Sequence, residues 1–255
     1  MEVWKEAIVT AAAFAAGVIN SIAGGGTLVS FPALVWTGRD PVLANATSTV
    51  ALWPASLAGV YGFRRELGGG RRWLLLFGAP SLAGGVLGAV LLLRTPTATF
   101  ARLVPYLILF ATLLLALQEP ISRRLRGGDD TDERKPSRAW AAGAVAFQFL
   151  VGVYGGYFGA GIGILMLAAL GLLGFSDIHR MNALKNLLAI CINGVAAAYF
   201  IFSGAVIWAD VLVMTFAAIA GGYAGARLAY RLGRRFVRAA VVAIGLVMGV
   251  SLFFQ

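Results

Sequence analysis

The stretch "NSIAGGGTLVSFP", residues 20–32, decides how the chain folds. Three consecutive glycines, Gly24, Gly25 and Gly26, interrupt a long apolar run, and the polar residues Asn20, Ser21 and Thr27 flank the break. Glycine costs about 1 kcal/mol against alanine in a helix interior, so a helix entering this stretch is expected to stop. Apolar residues resume at once, over 27–38. What such a break does depends on the solvent around it.

Composition names that solvent. The chain has 255 residues, 60% hydrophobic and 13% charged, with a mean hydropathy of +0.84. A soluble domain carries about 25% charged residues, so the chain reads as an all-α polytopic membrane protein. Its net charge of +10 does not point to nucleic acid, because the arginines cluster in short loops between apolar spans, as cytoplasmic loops require. The N-terminus carries Glu2 and Glu6 without a basic run before its apolar stretch, which argues against a cleaved signal peptide. Cys191 is the single cysteine and His179 the single histidine. Neither has a neighbour with which to build a disulfide, a metal site or a nucleophile–base pair, so no metal, no cofactor and no enzymatic activity are expected.

The apolar segments are 6–23, 27–38, 43–63, 72–93 and 100–118, then 139–158, 162–174, 179–203, 206–229 and 235–254. A polar linker, "QEPISRRLRGGDDTDERKPSR", joins the two sets. The chain divides into a first membrane repeat at 1–117, a cytoplasmic linker at 118–138 and a second repeat at 139–255. Four matches support the repeat: "AGGGTL" with "FGAGIG", Asn45 with Asn182, "GGVLGA" with "GGYAGA", and Phe100 with Phe236, all offset by 135 to 137 residues. Such halves are a hallmark of transporters that bind substrate where the repeats meet.

Charge indicates the sense of the repeats. Arginines gather at 64–72, in the linker and at 230–235. If each glycine break lay inside a continuous span, the last of these loops would fall on the wrong side of the membrane. If the glycines turn the chain, all three share the cytoplasmic side. The reading is two inverted repeats of about five helical segments each, with short broken or re-entrant helices at the glycine-rich turns. Segment 27–38 fits, since its 12 residues make roughly 18 Å of helix against a hydrocarbon core of about 30 Å. Irregular backbone at that depth is tolerated only where it is buried in protein or lines a wet cavity.

Helix N-termini present unpaired N–H groups and partial positive charge. Two of them, at Gly24–Thr27 and at Gly159, Gly161 and Gly163, would favour an anion. A polar stripe adds Asn45, Ser48 and Thr49 in one half and Asn182, Lys185 and Asn186 in the other, each at i, i+3 and i+4 on one helix face. Asn193 continues the second stripe. Amides and hydroxyls can replace water around an oxyanion. Lys185 is the one ionisable residue well inside an apolar span, where a charge marks function or snorkels to the interface. Asn20, Gln148 and Tyr154 lie near the breaks and can serve binding or helix packing. Gly84, Gly85, Gly88 and their mates Gly221, Gly222 and Gly225 read as packing glycines.

"GVINSIAGGGTLVSFPALVWTGRDPVLANATSTVALWPASLAGVYGFRREL" and "GVYGGYFGAGIGILMLAALGLLGFSDIHRMNALKNLLAICINGVAAAYFIFSGAVIWAD" resemble the two repeats of the sulfite exporter TauE/SafE family. The resemblance implies a multi-pass transporter of the bacterial inner membrane, embedded in lipid and carrying small sulfur oxyanions such as sulfite, or organosulfonates. It places the site at the glycine turns and the Asn45 and Asn182 helices. "NALKN" stands where many members carry small and hydroxyl residues, and Lys185 could mark a more highly charged or carboxylate-bearing anion or be irrelevant to substrate choice. The expected activity is secondary export by alternating access around a midplane site. An anion channel and a non-transporting membrane scaffold or sensor remain alternatives, and a homodimer stays open.

Overall fold

The computed structural model describes residues 3–22, 25–62, 71–126, 138–172, 178–232 and 234–253. Gly24, the first arginine-rich loop at 63–70 and part of the linker, 127–137, lie outside them. The described residues form ten helices and no strand: α1 (Val3–Ile22), α2 (Thr27–Trp36), α3 (Pro41–Gly62), α4 (Arg71–Arg94), α5 (Thr97–Arg126), α6 (Arg138–Tyr157), α7 (Ile162–Leu172), α8 (Ile178–Phe202), α9 (Trp208–Leu232) and α10 (Arg234–Ser251). Five described helices are long and apolar enough to cross a membrane. Large apolar side chains such as Leu75, Tyr106, Leu150 and Phe216 point outward, an exterior suited to lipid rather than water.

The glycine breaks end α1 and α6, and each is followed by a short helix: α2 has 10 residues and α7 has 11. Hydropathy alone misjudges α5. It runs past the apolar segment to Arg126, because leucine, glutamine, glutamate and arginine are all good helix formers and a helix need not end where oiliness does. The apolar content of α3 is diluted by Asn45, Thr47 and Ser48, which are buried because α1, α2, α8 and α9 surround it.

Helices pair mostly across the halves. The two broadest contacts are α4 with α6 and α1 with α9. Exchanging α1–α5 for α6–α10 turns these two into each other, turns α3–α9 into α8–α4, and leaves α3–α8 and α5–α10 unchanged. Glycine makes both broad seams close. A Cβ on Gly84 or Gly88 would run into the Phe149 and Val153 carbonyls of α6, and one on Gly221 or Gly17 into the carbonyls of Phe14 and Ala218 across the α1–α9 seam. Small residues let helix backbones approach where no hydrophobic force acts between helices in lipid. Gln148 donates to Ser81 Oγ at 2.8 Å inside the α4–α6 seam.

Candidate functional site

Both glycine turns bend toward the same interior space. Gly25 has φ +91° and Gly159 and Gly161 have φ +79° and +78°, a left-handed conformation that side chains resist. Each turn is held by a polar group read from the sequence. The Gly26 N–H donates to Asn20 Oδ1 at 2.8 Å, and the Tyr154 hydroxyl donates to the Ala160 carbonyl at 2.8 Å. The turns aim the N-terminal ends of α2 and α7 into a cavity of about 520 Å³.

Nine of the fourteen predicted site residues line that cavity: Asn20, Gly25, Thr27, Thr49, Gly159, Gly161, Gly163, Lys185 and Asn186. Gly26, Asn45, Ser48 and Asn182 do not line it, and Gly24 lies outside the described residues. Asn45 donates to the Tyr157 carbonyl at 2.9 Å and so fastens α3 to the second turn. Its buried Oδ1 is the one buried side-chain polar atom without a hydrogen-bond partner among the described residues. Ser48 Oγ and Ser30 Oγ share a buried hydrogen bond of 2.8 Å. Asn182 Oδ1 accepts from Lys185 Nζ at 3.0 Å. The lysine stem lies against Gly163, where a Cβ would come within 3.1 Å of Lys185 Cδ.

Trp53, Ser56 and Asn193 also line the cavity. The Trp53 indole donates to the Ile190 carbonyl at 3.1 Å. The signal for it was present, because Thr49, Trp53 and Ser56 follow at i, i+4 and i+7 along one face.

Among the described residues, Lys185 is the only ionisable side chain that lines the cavity. Around it stand amides and hydroxyls from Asn20, Thr27, Thr49, Ser56, Asn186 and Asn193, with Leu52, Ala189 and Ile190 as apolar wall. No cluster of three or more His, Cys, Asp or Glu gathers to hold a metal among the described residues. The cavity can therefore solvate one negative charge with an ammonium, neutral donors and two helix ends.

An aromatic group packs around Phe158 of the cavity wall. Phe31 meets Phe158 edge-on at 5.4 Å and Phe100 at 6.3 Å, and Phe100 meets Tyr157 at 5.6 Å. Beyond it, Arg39 forms a two-pronged ion pair with Asp210, both contacts at 2.9 Å. Hydrogen bonding to Asp210 raises the Arg39 pKa against the opposing effect of burial.

The sulfite exporter TauE/SafE family model matches residues 9–252. A "Probable membrane transporter protein" of Haemophilus influenzae is 28% identical over 98% of this chain and 94% of its own length. The "Probable membrane transporter protein YfcA" of Escherichia coli K12 is 30% identical over 95% of this chain and 87% of its own. A "Probable membrane transporter protein ORF9" of a Sinorhizobium species is 28% identical over 94% and 89%. No solved structure matches.

Proposed function

The chain belongs to the sulfite exporter TauE/SafE family, a family of multi-pass membrane transporters, and on that premise we propose that it exports small sulfur-containing anions, sulfite or organosulfonates, from bacterial cells. It works in the inner membrane as a secondary carrier with two inverted halves, and substrate binds between them. The observation that carries this reading is the cavity itself: both glycine turns border it, and Lys185 is the ionisable group that lines it among the described residues. An ammonium set among amide and hydroxyl donors and two helix N-termini favours an anion. A volume of about 520 Å³ falls in the range of small-molecule sites and accommodates an oxyanion head with a short organic tail. The head sits by Lys185, Asn186 and the α7 N-terminus, and a tail lies along Leu52, Trp53 and Ile190. Packing of Phe31 around Phe158 of the cavity wall, with Phe100 behind it, favours a carrier over an open channel. Five segments per half would place the repeats in opposite senses, with the arginine-rich loops in the cytoplasm.

The test is radiolabelled sulfite flux in proteoliposomes, with sulfate, sulfoacetate and chloride as competitors. Saturable flux blocked by sulfoacetate but not by chloride is the expected result. No sulfite flux in liposomes where a reconstituted control carrier is active would overturn the substrate class. Non-saturating flux shared with chloride would make the protein an anion channel.

A further inference from the structure

Three helices define the two ends of the cavity. α1, α3 and α9 start at one end of the molecule, where Arg39, Glu6 and Asp210 lie close together. α3 and α9 run toward the arginine-rich stretches at 64–72 and 230–235. Cavity-lining residues fall in the last turns of α1 (Gly17, Asn20 and Ser21), in the middle of α3 (Thr49 to Ser56) and past the middle of α9 (Gly222). The cavity therefore lies farther along these helices than the Arg39–Asp210 end, on the side that leads to the arginine-rich stretches. At the other end the chain is shut, with Thr37, Asn45, Thr47 and Asp210 all buried.

Two contacts tie that shut end across the halves. The Arg39–Asp210 pair joins the α2–α3 connection of one half to the first turn of α9 in the other, with side chains 13% and 5% exposed. The Ile207 N–H donates to Thr47 Oγ1 at 3.1 Å beside it. Forked arginine–carboxylate pairs are strong and geometrically demanding. Separating them within the protein would leave a buried, unpaired charge, so the pair is stable either made or fully hydrated. Both outcomes are open to it. Gly38, with φ +90° and free space around it, precedes Arg39 and gives the connection a pivot. A small crevice of about 80 Å³ lined by Glu6, Val9, Ala209, Asp210 and Val213 lies beside the pair.

We propose that Arg39 and Asp210 form the outer latch of the carrier: paired, they hold the cavity shut at the end away from the arginine-rich loops, and they separate when it opens there. The inference rests on the carrier reading above, but its test needs no substrate. Cys191 is replaced by Ser, and Thr49→Cys places one thiol on the cavity wall. A membrane-impermeant, negatively charged methanethiosulfonate is then applied to right-side-out and inverted vesicles.

With the latch intact, Thr49→Cys should react about tenfold faster from the arginine-rich face. Adding Asp210→Asn should speed reaction from the opposite face by about tenfold. Arg39→Lys keeps the charge and loses the fork, so it should give a smaller increase in a protein that still folds. Unchanged opposite-face rates in both variants, with normal labelling from the arginine-rich face, would overturn the latch and leave the carrier reading standing. Equal reaction from both faces before the latch is touched would overturn both.

Discussion

Ser48 and Lys185 stand at matching places in the two halves, each three residues after an asparagine. Ser48 is fully buried, bonded to Ser30, while its partner Asn45 holds a backbone carbonyl and is 1% exposed. Lys185 faces the cavity with Asn182 beneath its ammonium. The same divergence recurs at the aromatic match. Phe100 is 0% exposed, whereas Phe236 is 65% exposed. At these two positions the first half packs where the second is more open, whereas the matching Thr49 and Asn186 both line the cavity. Matching stretches of sequence therefore meet unlike surroundings at these positions.

What the halves share should be the costliest thing to break. Gly84→Leu and Gly221→Leu push a side chain into a facing backbone in equivalent seams, and each should prevent accumulation of folded protein, read by size-exclusion profile after detergent extraction. Overpacking alone costs about 1–3 kcal/mol, and a facing backbone cannot move aside. If only one variant fails, the equivalence of the seams is wrong.

Where the halves differ, effects should separate by kind. Lys185→Met should weaken binding of a sulfonate anion by about thirtyfold, the loss of about 2 kcal/mol from a charge-assisted contact, measured by calorimetric titration. Ser48→Ala, at the matching position, should leave that affinity unchanged and lower stability by about 1 kcal/mol, read as a drop in Tm. An affinity loss in Ser48→Ala as large as in Lys185→Met would erase the distinction between packing and binding stripes. The smallest effect is expected at Thr49→Val, which removes one neutral hydroxyl from the cavity wall and should change affinity about twofold.

Much of this was legible in the residues. The glycine breaks and the ten segments follow from backbone preference, hydropathy and helical spacing, which are local properties, whereas those properties left Lys185 open between a binding role and the interface. The i, i+4, i+7 run through Thr49, Trp53 and Ser56 is equally readable, but helical spacing does not say which face meets a neighbour. Arg39 and Asp210 were out of reach for another reason: 171 residues separate them, and no local rule pairs a loop arginine with a distant helix start.

By itself, the sequence determined that the chain lives in a bilayer and that its backbone breaks twice, at the glycine-rich stretches around Gly25 and Gly159. Those features depend on composition and on the cost of glycine in a helix, which each segment carries alone. Only the tertiary structure decided that Asn45 and Ser48 turn inward to neighbours while Lys185 and Asn186 meet the cavity, and that an aromatic cluster packs at the cavity wall and an ion pair joins the halves. Matching stretches have the same helical periodicity in either conformation, so which of them is exposed depends on how the halves lean on each other.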